Sequence, residues 1–155
     1  MEIDRSTPQL ASLYQELILE HYKRPRNRGT LEGANAEAHL NNPTCGDQVR
    51  LQLRIEDGRI AEARFTGEGC SISQASVSMM TQLLRGKDTA EALALARRFT
   101  AMMHGDAEAA RDKTLGDLRA LAGVSRFPVR VKCALLGWNA LEAAIEGDGA
   151  ERGQG

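Results

Sequence analysis

The chain has 155 residues, of which 42% are hydrophobic, and its formal net charge is −1. A chain of this size and composition can bury its own core, so we predict a single domain over residues 1–146 that needs neither a disulfide nor a metal to fold. The near-neutral charge excludes a global attraction to nucleic acid or to an anionic membrane, and neither is expected as a partner. Residues 147–155 have the composition of a disordered tail.

The sequence contains no apolar run of the length that a signal peptide or a membrane span requires, and we therefore expect a cytoplasmic protein. It has three cysteines, and an odd number cannot form a fully paired disulfide framework. In a reducing compartment this count favours metal binding or catalysis as the use of the thiols.

The first predicted element is a helix that begins at Ser6, a capping residue with Gln9 three positions later, and that stops at Pro25. Four cations lie between positions 23 and 28, at and just beyond the end of this helix. Such a cluster is typical of a solvated helix end. The alternative interpretation is a docking patch for an acidic partner.

Residues 36–66 change to a period of two, which is typical of strands with one buried face. Asp57-Gly58 predicts a tight hairpin, and residues 36–41 predict an earlier strand. The sequence therefore predicts an antiparallel sheet of about three strands. In the first strand of the hairpin the predicted buried residues are Val49, Leu51, Leu53 and Ile55. In the second strand they are Ala61, Ala63 and Phe65.

The helical period returns after Gly69. Four helical segments are predicted: residues 70–86, residues 88–104, a short amphipathic stretch that stops at Gly123, and a last helix from about Pro128 to Glu146. Together with the strands they predict an α+β fold in which the small sheet packs against helices. The predicted buried stripe of the last helix is Val131, Leu135, Trp138 and Ile145.

Residues 42–47 (NPTCGD) place a thiol, Cys45, two positions from a carboxylate, Asp47, in a polar loop. If the fold brings Cys70, at a helix start, and Cys133, in the last helix, to this loop, the result is a set of three sulfurs and one oxygen that zinc accepts, the oxygen being the weak, exchangeable ligand. The spacing of the three cysteines alone matches neither a zinc knuckle nor a zinc finger. Each cysteine is alternatively a small buried hydrophobe, an interpretation that is weakest for Cys45 because its turn is polar. The histidines at 21, 39 and 104 lack metal-like spacing to a cysteine, and we predict structural roles for them.

Several segments together resemble the U-type scaffold proteins of iron-sulfur cluster assembly, over about residues 13–145. Within that family, IscU-like scaffolds carry a histidine directly before the third cysteine. SufU-like proteins carry a lysine there and a longer segment between the second and third cysteines, and this chain is similar to them in both respects. The segments that carry the resemblance are His21-Tyr22, Pro25-Arg26-Asn27, residues 42–47, residues 69–76 (GCSISQAS) and Lys132-Cys133.

The resemblance implies a zinc site with Cys45, Asp47, Cys70 and Cys133 as ligands. It also implies that the protein accepts persulfide sulfur on Cys45 from a pyridoxal-phosphate cysteine desulfurase of the SufS type and works with downstream iron-sulfur assembly proteins. This would make it a sulfurtransferase in a sulfur relay. The fold that the resemblance implies agrees with the α+β pattern.

Arg130 lies three residues before Cys133 and therefore on the same helical face. Because three thiolates and a carboxylate exceed the charge of zinc by about two, we predict that Arg130 offsets this charge and steadies the sulfur during transfer. The alternative is an ordinary exposed arginine. Two other functions remain open: a scaffold that assembles a [2Fe-2S] cluster, against which Lys132 argues, and an interaction module with purely structural zinc.

Overall fold

The structure, a computed structural model, describes residues 6–43 and 46–147, with side chains from residue 15 onward. Cys45 and the greater part of the predicted tail lie outside the described residues. The observed α+β architecture confirms the predicted fold class. The elements, in order, are α1 (Ser6–Lys23), β1 (Ala36–Asn42), β2 (Asp47–Glu56), β3 (Arg59–Glu68), α2 (Ser71–Leu84), α3 (Thr89–Met103), α4 (Ala107–Ala110), a 3₁₀ segment (Lys113–Arg126) and α5 (Pro128–Ile145).

The sheet has the order β1-β2-β3, and both strand pairs are antiparallel. The hairpin between β2 and β3 turns on Asp57 and Gly58, whose φ angles are both positive, 55° and 76°. A turn with two positive φ angles matches the right-handed twist of the flanking strands, which explains the Asp-Gly pair. The predicted hairpin is confirmed.

One strand face differs from the prediction. Ile60 is fully buried, whereas Ala61, which we predicted on the buried side, is half-buried. The pairing of β2 with β3 is irregular between Arg54 and Ile55, where a β-bulge shifts the register by one residue. A shift of one residue moves a side chain to the opposite face of a sheet, and this places Ile60 in the core.

Helix α5 contacts β1 and β2 on the sheet as well as α2, α3 and the 3₁₀ segment. Because it is covered on so many sides, its buried surface differs from the single stripe that we predicted. Trp138 is buried as predicted, whereas Val131, Leu135 and Ile145 are half-buried and pack against the core from its edge. Trp138 stacks on Phe99 of α3 with ring centroids 5.4 Å apart. The buried residues of α5 are Cys133, Ala134, Leu136, Gly137, Trp138, Ala140, Leu141, Ala143 and Ala144.

Helix α3 begins with a capping box: Asp88 accepts from the backbone N–H of Glu91, whose side chain accepts from the Asp88 N–H. After α3 the chain forms α4, a short helix that is not among the predicted segments, and Asp106 caps it. The predicted stop at Gly123 is wrong, since the 3₁₀ segment continues to Arg126. In the described part of the chain, none of the helices is both long enough and apolar enough to cross a membrane.

His21, near the end of α1, is fully buried and joins three elements. Its Nδ1 lies 2.7 Å from Ser78 Oγ in α2, and its Nε2 lies 3.3 Å from Asp117 Oδ2 in the 3₁₀ segment. The Ser78 hydroxyl also accepts the N–H of Arg26 at 2.8 Å. This serine-histidine-aspartate group, of which only Asp117 is partly exposed, therefore stabilises the packing of α1, and Ser78, which is fully buried, is closed to a substrate.

We predict that the stability of the protein falls below about pH 6.5 because of His21. Burial lowers the pKa of His21 below its ordinary value, although Asp117 opposes the shift. Folding therefore favours the neutral imidazole. Its contribution to the free energy of unfolding is fully present above the unfolded-state pKa. As the pH falls towards the lower folded-state pKa, this contribution is lost by at most about 1.4 kcal/mol per pH unit. Urea unfolding between pH 7.5 and 5.5 should show this slope in wild type and in His39→Gln, and a smaller slope in His21→Gln. An unchanged slope in His21→Gln would refute the assignment.

Candidate metal centre

Three of the four predicted ligands lie together in the structure. Asp47, Cys70 and Cys133 each offer one ligand atom, and these atoms all lie within 4.8 Å of one another. They come from the start of β2, the residue that caps α2 and the second turn of α5. The fourth predicted ligand, Cys45, lies outside the described residues.

The register of the sheet brings Asp47 and Cys70 together. Asp47 is the first residue of β2, and its neighbour Gln48 pairs with Glu68, the last residue of β3. The chain then reaches Cys70 within two residues, at the point where α2 begins. Two segments far apart in sequence are therefore placed side by side by strand pairing alone.

The carboxylate of Asp47 is 1% exposed, and its Oδ1 accepts the backbone N–H of Cys70 at 3.1 Å. Among the residues that the structure describes, Oδ2 of Asp47 is buried and has no hydrogen-bond partner. Burying a carboxylate oxygen without a partner is energetically unfavourable, and a bound cation compensates this loss of free energy best. Together with two neighbouring sulfurs, this oxygen fits a divalent metal such as zinc.

Cys70 caps α2 without a side-chain capping bond, so its sulfur is not used to satisfy the helix terminus. Cys133 is 1% exposed, and its Sγ lies 3.7 Å from the carbonyl oxygen of Val129, one turn earlier in the same helix. The helices that carry the two thiols are linked by the Ser76 hydroxyl, which donates to the carbonyl of Ala134 at 2.7 Å. Helix packing therefore sets the separation of the two thiols.

Arg130 is exposed and lines a groove of about 840 Å³ that reaches Ser71, next to Cys70. We call it the arginine groove, defined by Ser71, Ile72, Val124, Arg126, Phe127 and Arg130. Arg126 and Arg130 form no ion pair with any residue from 15 to 43 or from 46 to 147. The groove is therefore positively charged, and the role that we predicted for Arg130 remains a prediction.

The sequence did not single out the apolar side chains beside these arginines. Phe127 is 58% exposed and Val129 is 59% exposed, at the start of α5. The available signal was an aromatic and a β-branched residue around Pro128, in the first turn of a helix whose buried positions begin later. A second groove, of about 540 Å³ and polar, is lined by Tyr22, Arg28, Gln48, Gly67, Glu68, Gly69 and Gln74.

This arrangement of a three-stranded sheet, surrounding helices and a sulfur-carboxylate cluster is that of a known class. The sequence model of one protein family, the NifU-like N terminal domain, matches residues 13–147. The chain belongs to this family. The resemblance stated from the sequence is thus confirmed.

Relatives with different names match most of the chain at similar identity. It is 48% identical over 136 residues to the zinc-dependent sulfurtransferase SufU of Bacillus subtilis (strain 168), covering 88% of this chain and 91% of the relative. It is 47% identical over 137 residues to the iron-sulfur cluster assembly scaffold protein IscU of Streptococcus pyogenes serotype M1, covering 88% and 85%. A solved structure named as a scaffold protein for the SUF system of Fervidobacterium islandicum AW-1 matches with a TM-score of 0.77 at 34% identity, covering 84% of this chain and 94% of that one.

We predict that Cys70→Ser and Cys133→Ser each lower the affinity for added Zn²⁺ by at least about a hundredfold. Loss of a ligand should cost more than the ten- to hundredfold that loss of an outer hydrogen-bond partner costs. Competition with a chromophoric chelator measures the affinity, and Asn139→Ser, an exposed change on α5, is the control. Wild-type affinity in either cysteine variant would contradict the assignment of that residue as a ligand.

Proposed function

We propose that this protein is a zinc-dependent sulfur acceptor in iron-sulfur cluster assembly. In this proposal it takes persulfide sulfur from a SufS-type cysteine desulfurase onto Cys45, activates that enzyme and passes the sulfur to downstream assembly proteins. The observation that carries the proposal is the convergence of Asp47, Cys70 and Cys133 around a buried carboxylate oxygen that lacks a partner among the described residues. The 48% identity to a protein named as a zinc-dependent sulfurtransferase supports it.

The proposed ligands are Cys45, Asp47, Cys70 and Cys133. Cys45 is two residues before Asp47, and two peptide units separate their Cα atoms by at most about 7.6 Å, which is within reach of the same centre. Zinc, when bound, would hold the cysteines as thiolates. We propose Arg130, which lines the adjoining groove, as a positioning residue that offsets the negative charge of this set.

In the proposed transfer one sulfur-sulfur bond is replaced by another. The Cys45 thiolate attacks the outer sulfur of the partner's persulfide, and a new bond forms between the two sulfurs. The partner's own sulfur-sulfur bond breaks as its cysteine leaves as a thiolate, and the proton of the persulfide moves with the transferred sulfur. The exchange needs no external oxidant or reductant, because one persulfide replaces another.

We predict that the transferred sulfur is found on Cys45. The protein would be incubated with a SufS-type desulfurase and cysteine, alkylated and mapped by mass spectrometry. The expected result is an addition of about 32 Da, one sulfur atom, chiefly at Cys45, because Cys70 and Cys133 are anchored on helices. A persulfide concentrated on Cys70 or Cys133 would contradict the choice of acceptor, and its absence from all three thiols would contradict the proposed function.

We propose the arginine groove as the surface that meets the desulfurase. It adjoins Cys70 through Ser71, and it combines two guanidinium groups, those of Arg126 and Arg130, with the exposed apolar side chain of Phe127. Neither guanidinium is in an ion pair within the part of the chain whose side chains the structure describes. The N-terminus of α5 adds the positive end of a helix dipole. The matching partner surface carries carboxylates around an apolar side chain.

We predict that Arg126→Glu weakens binding of the desulfurase roughly tenfold at low ionic strength, with a smaller effect at high salt. Arg85→Glu is the matched control, since it makes the same charge change at the far end of α2. Titration calorimetry with the zinc-loaded variants measures both. Equal losses in the two variants would show that net charge and not the groove controls binding.

A second candidate function is a scaffold for a [2Fe-2S] cluster, which the 47% identity to a protein named IscU favours. The same cysteines and Asp47 would hold the cluster. Lys132 argues against it, because its protonated amine has no lone pair to offer in place of the histidine of IscU-like relatives. Metal analysis of anaerobically purified protein distinguishes the two: about one equivalent of zinc supports the acceptor, and a stable brown chromophore with iron supports the scaffold.

The third possibility is purely structural zinc. The contiguous hydrophobic core extends over the sheet and helices and includes residues far from the cluster, such as Leu84 and Met103. Such a core does not require a metal to fold, in contrast to small zinc domains. Unfolding on metal removal, with unchanged desulfurase turnover, would favour the structural interpretation.

We further infer that residues 1–146 form a single domain that acts in the cytoplasm. The match of the family model to residues 13–147 supports the domain. The cytoplasmic location depends on the thiol chemistry of the proposed transfer, which requires a reducing compartment.

A further inference from the structure

Gly69 stands between β3 and α2, directly before Cys70. A Cβ atom placed on Gly69 would lie 2.5 Å from Oδ1 and 2.9 Å from Cγ of Asp47, and it would also overlap Ser73 Oγ. Carbon atoms that are not bonded prefer separations of at least about 3.5 Å, so the contact with Cγ would be about 0.6 Å too short. The φ angle of Gly69 is not in the left-handed region, so space and not backbone conformation requires a glycine here.

The carboxylate that occupies this space has a defined orientation. Its Oδ1 is fixed by the N–H of Cys70 at 3.1 Å, and the Ser73 hydroxyl holds the Cys70 carbonyl at 3.2 Å. Oδ2 is therefore the oxygen that remains available to bind a metal, and it is buried without a partner among the described residues. The absence of a side chain at position 69 allows the carboxylate to approach the backbone this closely.

We propose that Gly69 is a positioning residue that seats the Asp47 carboxylate against the N-terminus of α2 and so directs Oδ2 at the metal. This inference rests on the proposed metal site. It makes Asp47 a fixed ligand, in contrast to the weak, exchangeable ligand that the sequence alone indicated. Exchange of a ligand during function must then begin at one of the thiols.

Gly69→Ala tests this proposal. The methyl group should displace the carboxylate and lower the affinity for Zn²⁺ ten- to hundredfold, as loss of an orienting group does at other metal sites. Gly123→Ala is the matched control, because a Cβ atom there meets nothing within 4 Å and the φ angle of Gly123 is also outside the left-handed region. Chelator competition gives the affinities, and the unfolding midpoint shows whether each variant is folded.

A double-mutant cycle separates positioning from a general effect on the backbone. Both arms of the cycle carry Ser73→Ala, because Ser73 Oγ would also clash with the added methyl group. In the Ser73→Ala/Asp47→Ala background the clashing carboxylate is absent as well, so adding Gly69→Ala should change the Zn²⁺ affinity by less than about twofold, whereas in Ser73→Ala alone it should keep its full effect. A similar loss in both backgrounds, or wild-type affinity in Gly69→Ala, would overturn the proposal. If wild type itself binds no Zn²⁺, the proposed metal site fails first.

Asp47→Asn provides a second test that adds no volume. The Cys70 N–H needs an acceptor, so the amide oxygen of the asparagine should take the place of Oδ1 and the NH₂ group, which cannot bind a metal, should take the place of Oδ2. We therefore expect Asp47→Asn to bind Zn²⁺ as weakly as Asp47→Ala, with the same altered visible spectrum when Co²⁺ is the probe. Near-wild-type affinity would show that the carboxylate is free to turn and would overturn the proposal.

Discussion

The burial of α5 is the constraint on which the rest of the structure depends. This helix contacts the sheet on one side and α2, α3 and the 3₁₀ segment on the others, so each of those elements is placed by its fit to α5. Close packing leaves little freedom for any of them to shift independently. Cys133 lies within this buried helix, and the three described residues of the candidate metal centre therefore lie at the edge of the core.

Two separate constraints bring the ligand atoms together. The register of the β2-β3 hairpin sets Asp47 beside Cys70, and the packing of α2 on α5 sets Cys70 beside Cys133. Since the first depends on backbone hydrogen bonds and the second on side-chain packing, a change in one need not disturb the other. The centre combines a ligand pair fixed by the sheet with a third ligand fixed by the core.

Much of the fold could be predicted because its signals are local. The alternation at Val49, Leu51 and Leu53 and the Asp-Gly hairpin depend on neighbouring residues, and both are confirmed. Ile60 was misplaced because a β-bulge depends on the partner strand. Spacing could not show that Cys70 and Cys133, 63 positions apart, meet in space; their predicted association depended on the resemblance to a family. The contact of His21 with Ser78 likewise has no signal in either segment.

The hydrogen bond from Ser76 to the carbonyl of Ala134 has a consequence for how the metal enters and leaves. Because α2 and α5 are held together by the protein itself, the entropy of ordering two of the thiols is lost when the chain folds and not when the ion arrives. Loading can then be a local event with a small conformational cost, unlike the coupled folding of a zinc finger. A cell could strip and reload such a protein repeatedly without exposing its core to aggregation or proteolysis.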